Sequence, residues 1–201
     1  MSFERLADIY LQLGDKGKTL GCYQKTLNIR EQLARKDSQD SKAQQDLLSI
    51  FQVLSLYFYG HKNYTEAAKI YARALAKFPN DLNFLSNDME LALVQNDDLR
   101  FQQRLKSILP LLKSDNHYYA IIPFVSYLSN SQQGYQAVIE AIEKLDKEVK
   151  VNWVFSDIQP AIKRQNQKTQ ETAQLFIDYF EQRLDLKELK TKLAALEIEK
   201  K

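Results

Sequence analysis

The sequence predicts an all-α protein built from tandem helical hairpins, and three observations carry that prediction. Gly occurs five times and Pro four times in 201 residues, too few turn formers for the many tight reversals of a β-sandwich or barrel. Apolar residues make up 44% of the chain and charged residues 27%, enough to bury a core and unlike the composition of a disordered segment. The chain also repeats itself. FERLADIYLQLGDKGKTLGCYQKTL (3–27) aligns with FQVLSLYFYGHKNYTEAAKIYARAL (51–75) at an offset of 48, pairing Phe3 with Phe51, Leu6 with Leu54, Tyr10 with Phe58, Tyr23 with Tyr71 and Leu27 with Leu75. Self-similarity at such a period marks stacked supersecondary units.

The second copy carries a specific pattern. Phe51, Leu54, Ser55, Phe58, Ala67, Tyr71, Ala74 and Pro79 place small residues where two helices of a hairpin cross closely and large ones between neighbouring hairpins. Pro79 stops the second helix, because it cannot continue the backbone ladder. In these eight positions and their spacing the segment resembles a tetratricopeptide repeat. The first copy keeps Phe3, Leu6, Ala7, Tyr10, Thr19, Tyr23 and Thr26 but has Glu31 where the terminal proline would stand. The resemblance covers roughly residues 2–113. It implies a right-handed α-solenoid of about four helical hairpins, at about 2–37, 41–79, 81–114 and 117–150.

The family period is about 34 residues, so the first step is longer by roughly four helical turns. The insert NIREQLARKDSQDSKAQQDLLS has neither Gly nor Pro and keeps apolar spacing at Ile29, Leu33, Leu47 and Leu48. It reads as two helices each extended by about two turns, reversing near Asp37–Ser41. Leu82–Gln95 reads as the next helix, broken by Asn96-Asp97-Asp98 and followed by Leu99–Lys113. A fourth pair is expected at Tyr118–Leu128 and Tyr135–Lys150, around a turn at Ser129–Gly134. Residues 1–150 thus form the expected repeat array and 151–201 its C-terminal capping helices, since a stacked array needs ends with a polar outer face. Within that cap, Ser156 and Gln159 suggest a capping box with Pro160 in the first turn. Thr169–Leu184 reads as amphipathic through Leu175, Phe176, Tyr179, Phe180 and Leu184. Asp185 with Glu188 suggests a fresh N-cap before a last helix.

Several classes of chemistry find little support. Lys+Arg is 28 against Asp+Glu 26, a balance that argues neither for nor against a nucleic-acid partner. One Cys and two His cannot build a disulfide framework or a structural zinc site. His61 and His117 fall in predicted turns and read as solvated loop residues; Cys22 reads as a small buried apolar group. Asn96-Asp97-Asp98 lacks the ligand series of a calcium loop and reads as a helix stop. Gly14, Gly17, Gly21, Gly60 and Gly134 are scattered and form no phosphate loop. No enzyme activity, cofactor or metal is therefore expected. Lys187, Lys190, Lys192, Lys200 and Lys201 alternate with Asp185, Glu188, Glu197 and Glu199, the mark of a solvated helix face rather than a phosphate-binding patch. No apolar run approaches the 18 or so residues of a membrane span, and Glu4, Arg5 and Asp8 interrupt what a signal peptide would keep apolar. A cytoplasmic, non-membrane protein is expected.

The resemblance implies function through a concave groove lined by the first helix of each hairpin, binding a peptide or partner protein. Its groove slots fall here on Glu4, Asp8 and Gln12; on Ser49, Gln52, Leu56 and Tyr59; and on Asn83, Ser86 and Glu90. The bland alternative is that these residues merely face solvent. Glu4 and Asp8 stand where the chaperone-binding branch of the family has Lys and Asn, so an acidic C-terminal tail is disfavoured. A neutral or basic peptide with an apolar anchor near Leu56 and Tyr59 fits better. A second surface is Leu186, Leu189, Leu193 and Leu196, a two-heptad stripe that either docks within the chain, self-associates into a homodimer, or meets a partner. Met1 stands two residues before the first signature slot, so the chain is either excised from a longer array or exposes an apolar edge for contact. Two further readings stay open: a dimeric regulatory or secretion-chaperone-like protein, and the regulatory fragment of a larger multidomain signalling protein.

Overall fold

The computed structural model describes residues 2–198, so Glu199, Lys200 and Lys201, like Met1, lie outside the described residues. Among those described there are helices and no strand. In order they are α1 (Phe3–Gln12), α2 (Lys16–Lys36), α3 (Ser41–Gly60), α4 (Tyr64–Lys77), α5 (Leu82–Gln95), α6 (Asp98–Ile108), α7 (Tyr118–Ser129), α8 (Gln136–Lys144), α9 (Gln159–Lys163), α10 (Gln167–Phe180) and α11 (Leu186–Ile198). The chain divides into two compact units, one through Phe84 and one from Leu85.

In the first unit, α1 packs on α2, α2 on α3 and α3 on α4. Small residues sit in the crossings: Ala7, Thr19, Ala67 and Ala74 are fully buried and Ser55 nearly so. Large residues fill the spaces between, with Phe51, Leu54 and Tyr71 buried and the Phe51 and Phe84 rings meeting edge-on at 6.5 Å. The extended first repeat is present as two long helices reversing over residues 37–40, where Asp40 caps α3 by accepting from the Lys42 and Ala43 N–H groups.

One turn recurs. Gly14, Lys62 and Asn96 have φ of 74°, 57° and 59°. In each case the residue's own N–H and the next one reach back to the end of the preceding helix. Asp15 N–H donates to Tyr10 O, Asn63 N–H to Phe58 O and Asp97 N–H to Ala92 O, the double bond of a Schellman stop. The next side chain then caps the following helix: Asp15 accepts from Lys18 N–H, Asn63 from Glu66 N–H and Asp97 from Arg100 N–H. These turns stand 48 and 34 residues apart, the two spacings read from the sequence.

The second unit departs further from expectation. α6 stops at Ile108, not Lys113, because Pro110 cannot donate and a 3-10 turn forms over Leu109–Leu111. α8 stops at Lys144, not Lys150: Leu145 turns extended, and Asp146 N–H donates to Ser114 O at 2.9 Å. Gly134 closes the α7–α8 turn at φ 74° and ψ 174°, a region only glycine enters freely. The Ser156–Gln159 capping box does not form. The Ser156 hydroxyl lies 3.4 Å from Asp157 Oδ1, and α9 begins at Gln159 without a side-chain cap. The Asp185–Glu188 box does form, with reciprocal bonds of 2.8 and 2.9 Å. The compact-unit boundary falls inside α5 rather than at residue 150. Phe155, Phe176 and Phe180, from the expected cap, share one core with Phe124 of α7, at ring separations of 6.2, 5.8 and 5.6 Å.

Candidate functional site

The first unit gathers most of the sequence-predicted surface. On α1, Glu4 is half-buried, and Asp8 and Gln12 are exposed. Both acids already have partners. The Arg30 guanidinium donates to Glu4 Oε2 at 2.6 Å and to the Asp46 carbonyl at 2.8 Å, so one cation from α2 ties α1 to the start of α3 and offsets the Glu4 charge. The Tyr23 hydroxyl donates to Asp8 Oδ1 at 2.9 Å. Burial, then this bond and the charges of Asp8 and Glu4, push the Tyr23 phenol up to about 12. Tyr57 of α3 meets the Tyr23 ring edge-on at 6.1 Å, and its own hydroxyl donates to Lys16 O at 3.3 Å.

On α3, Ser49, Gln52, Leu56 and Tyr59 succeed one another at steps of three, four and three residues, which places them on one side of the helix. Ser49, Gln52 and Tyr59 are half-buried, whereas Leu56 is 59% exposed. The Tyr59 ring lies 5.5 Å from Tyr64 of α4, which fixes it beside Leu56 as a stiff apolar wall. This side of α3 presents one exposed apolar residue, Leu56, with polar neighbours.

The third predicted group is brought in only in part. Asn83 is exposed, but Ser86 is fully buried and Glu90 is 7% exposed, so neither lines an open face. The reason is that α5 is buried nearly all round, from Phe84 to Val94, polar residues included. Sequence reasoning passed over Asp88, which is 1% exposed and receives the Arg104 Nε–H at 2.6 Å, with Arg100 at 3.9 Å. Its apolar neighbours Leu85, Met89 and Leu91 were the available signal that a carboxylate there needs a buried cation.

The leucine stripe docks within the chain, the first of the alternatives open for it. Leu189 and Leu193 are 0% and 2% exposed and Leu186 and Leu196 half-buried. α11 packs on α10, Lys190 pairs with Glu143 and Glu197 accepts from the Tyr135 hydroxyl at 2.8 Å. Half of the stripe, Leu189 and Leu193, is thus used within the chain. Lys187 and Lys192 are exposed on the same helix. His61 is exposed at the end of α3, its Nδ1 2.8 Å from Tyr57 O. His117 is not the solvated residue expected. It is half-buried and its ring lies 4.2 Å from Tyr118. Its Nε2 is buried without a hydrogen-bond partner, and burial lowers its pKa. Cys22 is half-buried rather than buried.

Among the described residues no three His, Cys, Asp or Glu side chains gather to hold a metal ion, and no helix is long and apolar enough to cross a membrane. Set against family models, curated proteins and solved structures, the chain matches none.

Proposed function

We propose that the protein is a non-catalytic protein–protein interaction scaffold of the tetratricopeptide type, a right-handed solenoid that binds a peptide or partner protein along the first helices of its hairpins. The recurrent Schellman-plus-cap turn at Gly14, Lys62 and Asn96 supports the repeat reading, as do the buried small residues at the helix crossings. The observation that carries the binding reading is Leu56, 59% exposed beside a Tyr59 ring held by Tyr64. An apolar side chain on the face where the resemblance puts a ligand, next to a pre-positioned aromatic, suits an anchoring pocket whose formation costs little ordering entropy.

The binding residues in this reading are Glu4, Asp8, Gln12, Ser49, Gln52, Leu56, Tyr59 and Asn83. The fitting ligand is a neutral or basic peptide with an apolar anchor, because Asp8 keeps a carboxylate on the exposed side of α1. The test is partner capture by the full chain. Leu56→Ala and Tyr59→Ala are expected to abolish capture while the far-ultraviolet helical signal and the melting curve stay unchanged. Capture that survives both substitutions contradicts the reading.

A further inference from the structure

The first hairpin is two-sided, and its second side is chemically distinct from the groove residues. Glu4 and Asp8 lie on one flank of α1. On the other, Leu6, Ile9 and Leu13 follow at steps of three and four residues, with Phe3 and Tyr10 beside them. Phe3 is 38% exposed, Ile9 44% and Leu13 72%. On α2, Lys18, Cys22, Lys25, Ile29 and Leu33 form a matching stripe, with Ile29 44% and Leu33 54% exposed. Two contacts join the helices into one surface: the Lys25 ammonium lies 5.3 Å from the Phe3 ring and the Lys18 ammonium 5.2 Å from the Tyr10 ring.

Arg5, Lys18 and Lys25 edge the apolar strip from Phe3 to Ile29. Glu31 is turned to Arg73 of α4 at 2.8 Å, while Asp15, which caps α2, pairs with Lys18 at 3.1 Å and offsets that cation, so Arg5 and Lys25 carry the positive charge of the surface. Beyond Leu33 the strip is bordered by Asp37, Asp40 and Asp46. A contiguous apolar patch of this kind marks a contact surface, and two parallel ridges of side chains suit a third helix laid between them.

We infer that the outer face of α1 and α2 docks an amphipathic helix of a partner protein, one whose apolar stripe is flanked by Asp or Glu. The cations select the partner's charge. The inference goes beyond the groove reading and uses none of its residues.

The probe is a synthetic helical peptide of about 18 residues, long enough to fold on contact, with Leu at i, i+3, i+4 and i+7 and Glu beside them. A twin carries Lys in place of Glu. The full chain is expected to bind the Glu peptide at least about tenfold more tightly than the Lys twin, more weakly as salt rises. Bound Glu peptide is expected to protect Cys22, the sole cysteine, from alkylation. Ile29→Asp and Leu13→Asp are expected to lose about tenfold or more in affinity, and the double variant Arg5→Glu, Lys25→Glu to reverse the preference. Leu56→Ala and Tyr59→Ala, which test the groove, leave this binding unchanged. Four results overturn the proposal: no binding of the Glu peptide; equal binding of both peptides; self-association that Ile29→Asp abolishes; or adsorption to phosphatidylserine vesicles through this face without preference between the peptides.

Discussion

The two units solve the same packing problem differently. The first buries small residues where its helices cross and large ones between them, and leaves more of its large apolar residues exposed than the second does. Phe3, Ile9, Leu11, Leu13, Ile29, Leu33 and Leu56 are exposed there, against Leu99, Leu109 and Val154 in the second. The second packs its large residues inward around Phe124, whose ring meets Phe155, Phe176 and Phe180, and takes in irregular chain to do so. A repeat that stacks on neighbours keeps side chains ready for contact, whereas a closed aromatic core spends its apolar surface on its own stability. In the proposed function, the first unit is the one that displays a surface and the second the one that supplies cohesion.

Truncation sharpens that contrast most. Phe124→Ala removes the hub of the aromatic core and is expected to cost about 3–5 kcal/mol, read as a fall in the denaturation midpoint. Leu56→Ala, at a 59% exposed site, is expected to leave the midpoint within about 0.5 kcal/mol. A large loss at Leu56 would make it a packing residue and break the assignment.

Alkaline titration compares the units through one phenol in each. Burial and the Asp8 bond raise Tyr23 to about 12, and burial and the Glu197 bond raise Tyr135 to about 12. The folded chain favours both neutral phenols. Their contribution is therefore complete below pH 10 and is lost as pH climbs through about 12. Burial also raises Tyr57 and Tyr179, so absorbance at 295 nm is expected to show late-ionising tyrosines of which Tyr23→Phe and Tyr135→Phe each remove one. His117 acts at the other end of the scale. Burial lowers its pKa below the ordinary 6.5, so its contribution is full above about pH 6.5 and is lost as pH falls through the folded value. His117→Phe is expected to flatten the fall in melting temperature on acidification.

Smaller effects test the recurrent turn. Asp15→Ala, Asn63→Ala and Asp97→Ala each delete a cap bond and are expected to cost about 1 kcal/mol. Unequal costs across the three would show that the turns share geometry without sharing a role. Lys62 holds a φ of 57° that strains a side chain, so Lys62→Gly is expected to raise stability by about 0.5–1 kcal/mol, measured by chemical denaturation.

Legibility follows the same division. In the first unit, period and residue size determine where helices cross, and both are visible in the sequence: Ala7, Ser55, Ala67 and Ala74 mark the crossings, and the bounds of α5 come out as read. The turn at Gly14, Lys62 and Asn96 is harder to see because three residue types occupy one conformation; the caps Asp15, Asn63 and Asp97 are its visible part. Ser86 and Glu90 fall off the open face because family slots carry a helix face but not its burial, and α5 is buried nearly all round, its polar Ser86, Asp88 and Glu90 included. In the second unit, Leu145 and Ser156 depart from expectation because long-range partners decide them. The Asp146 N–H takes Ser114 O, and Phe155 joins the Phe124 core. Neither pairing leaves a local pattern.

In the proposed function a partner meets the exposed side of α3. Site-specific photo-crosslinking in lysate of the native host tests it, with a photoreactive phenylalanine at position 56 of the full chain and, in a separate variant, at position 109, where Leu109 is comparably exposed at 52%. A discrete crosslinked partner from position 56, lost when Tyr59→Ala is added, with none from position 109, is the result expected. No product from position 56, or the same product from both positions, contradicts it.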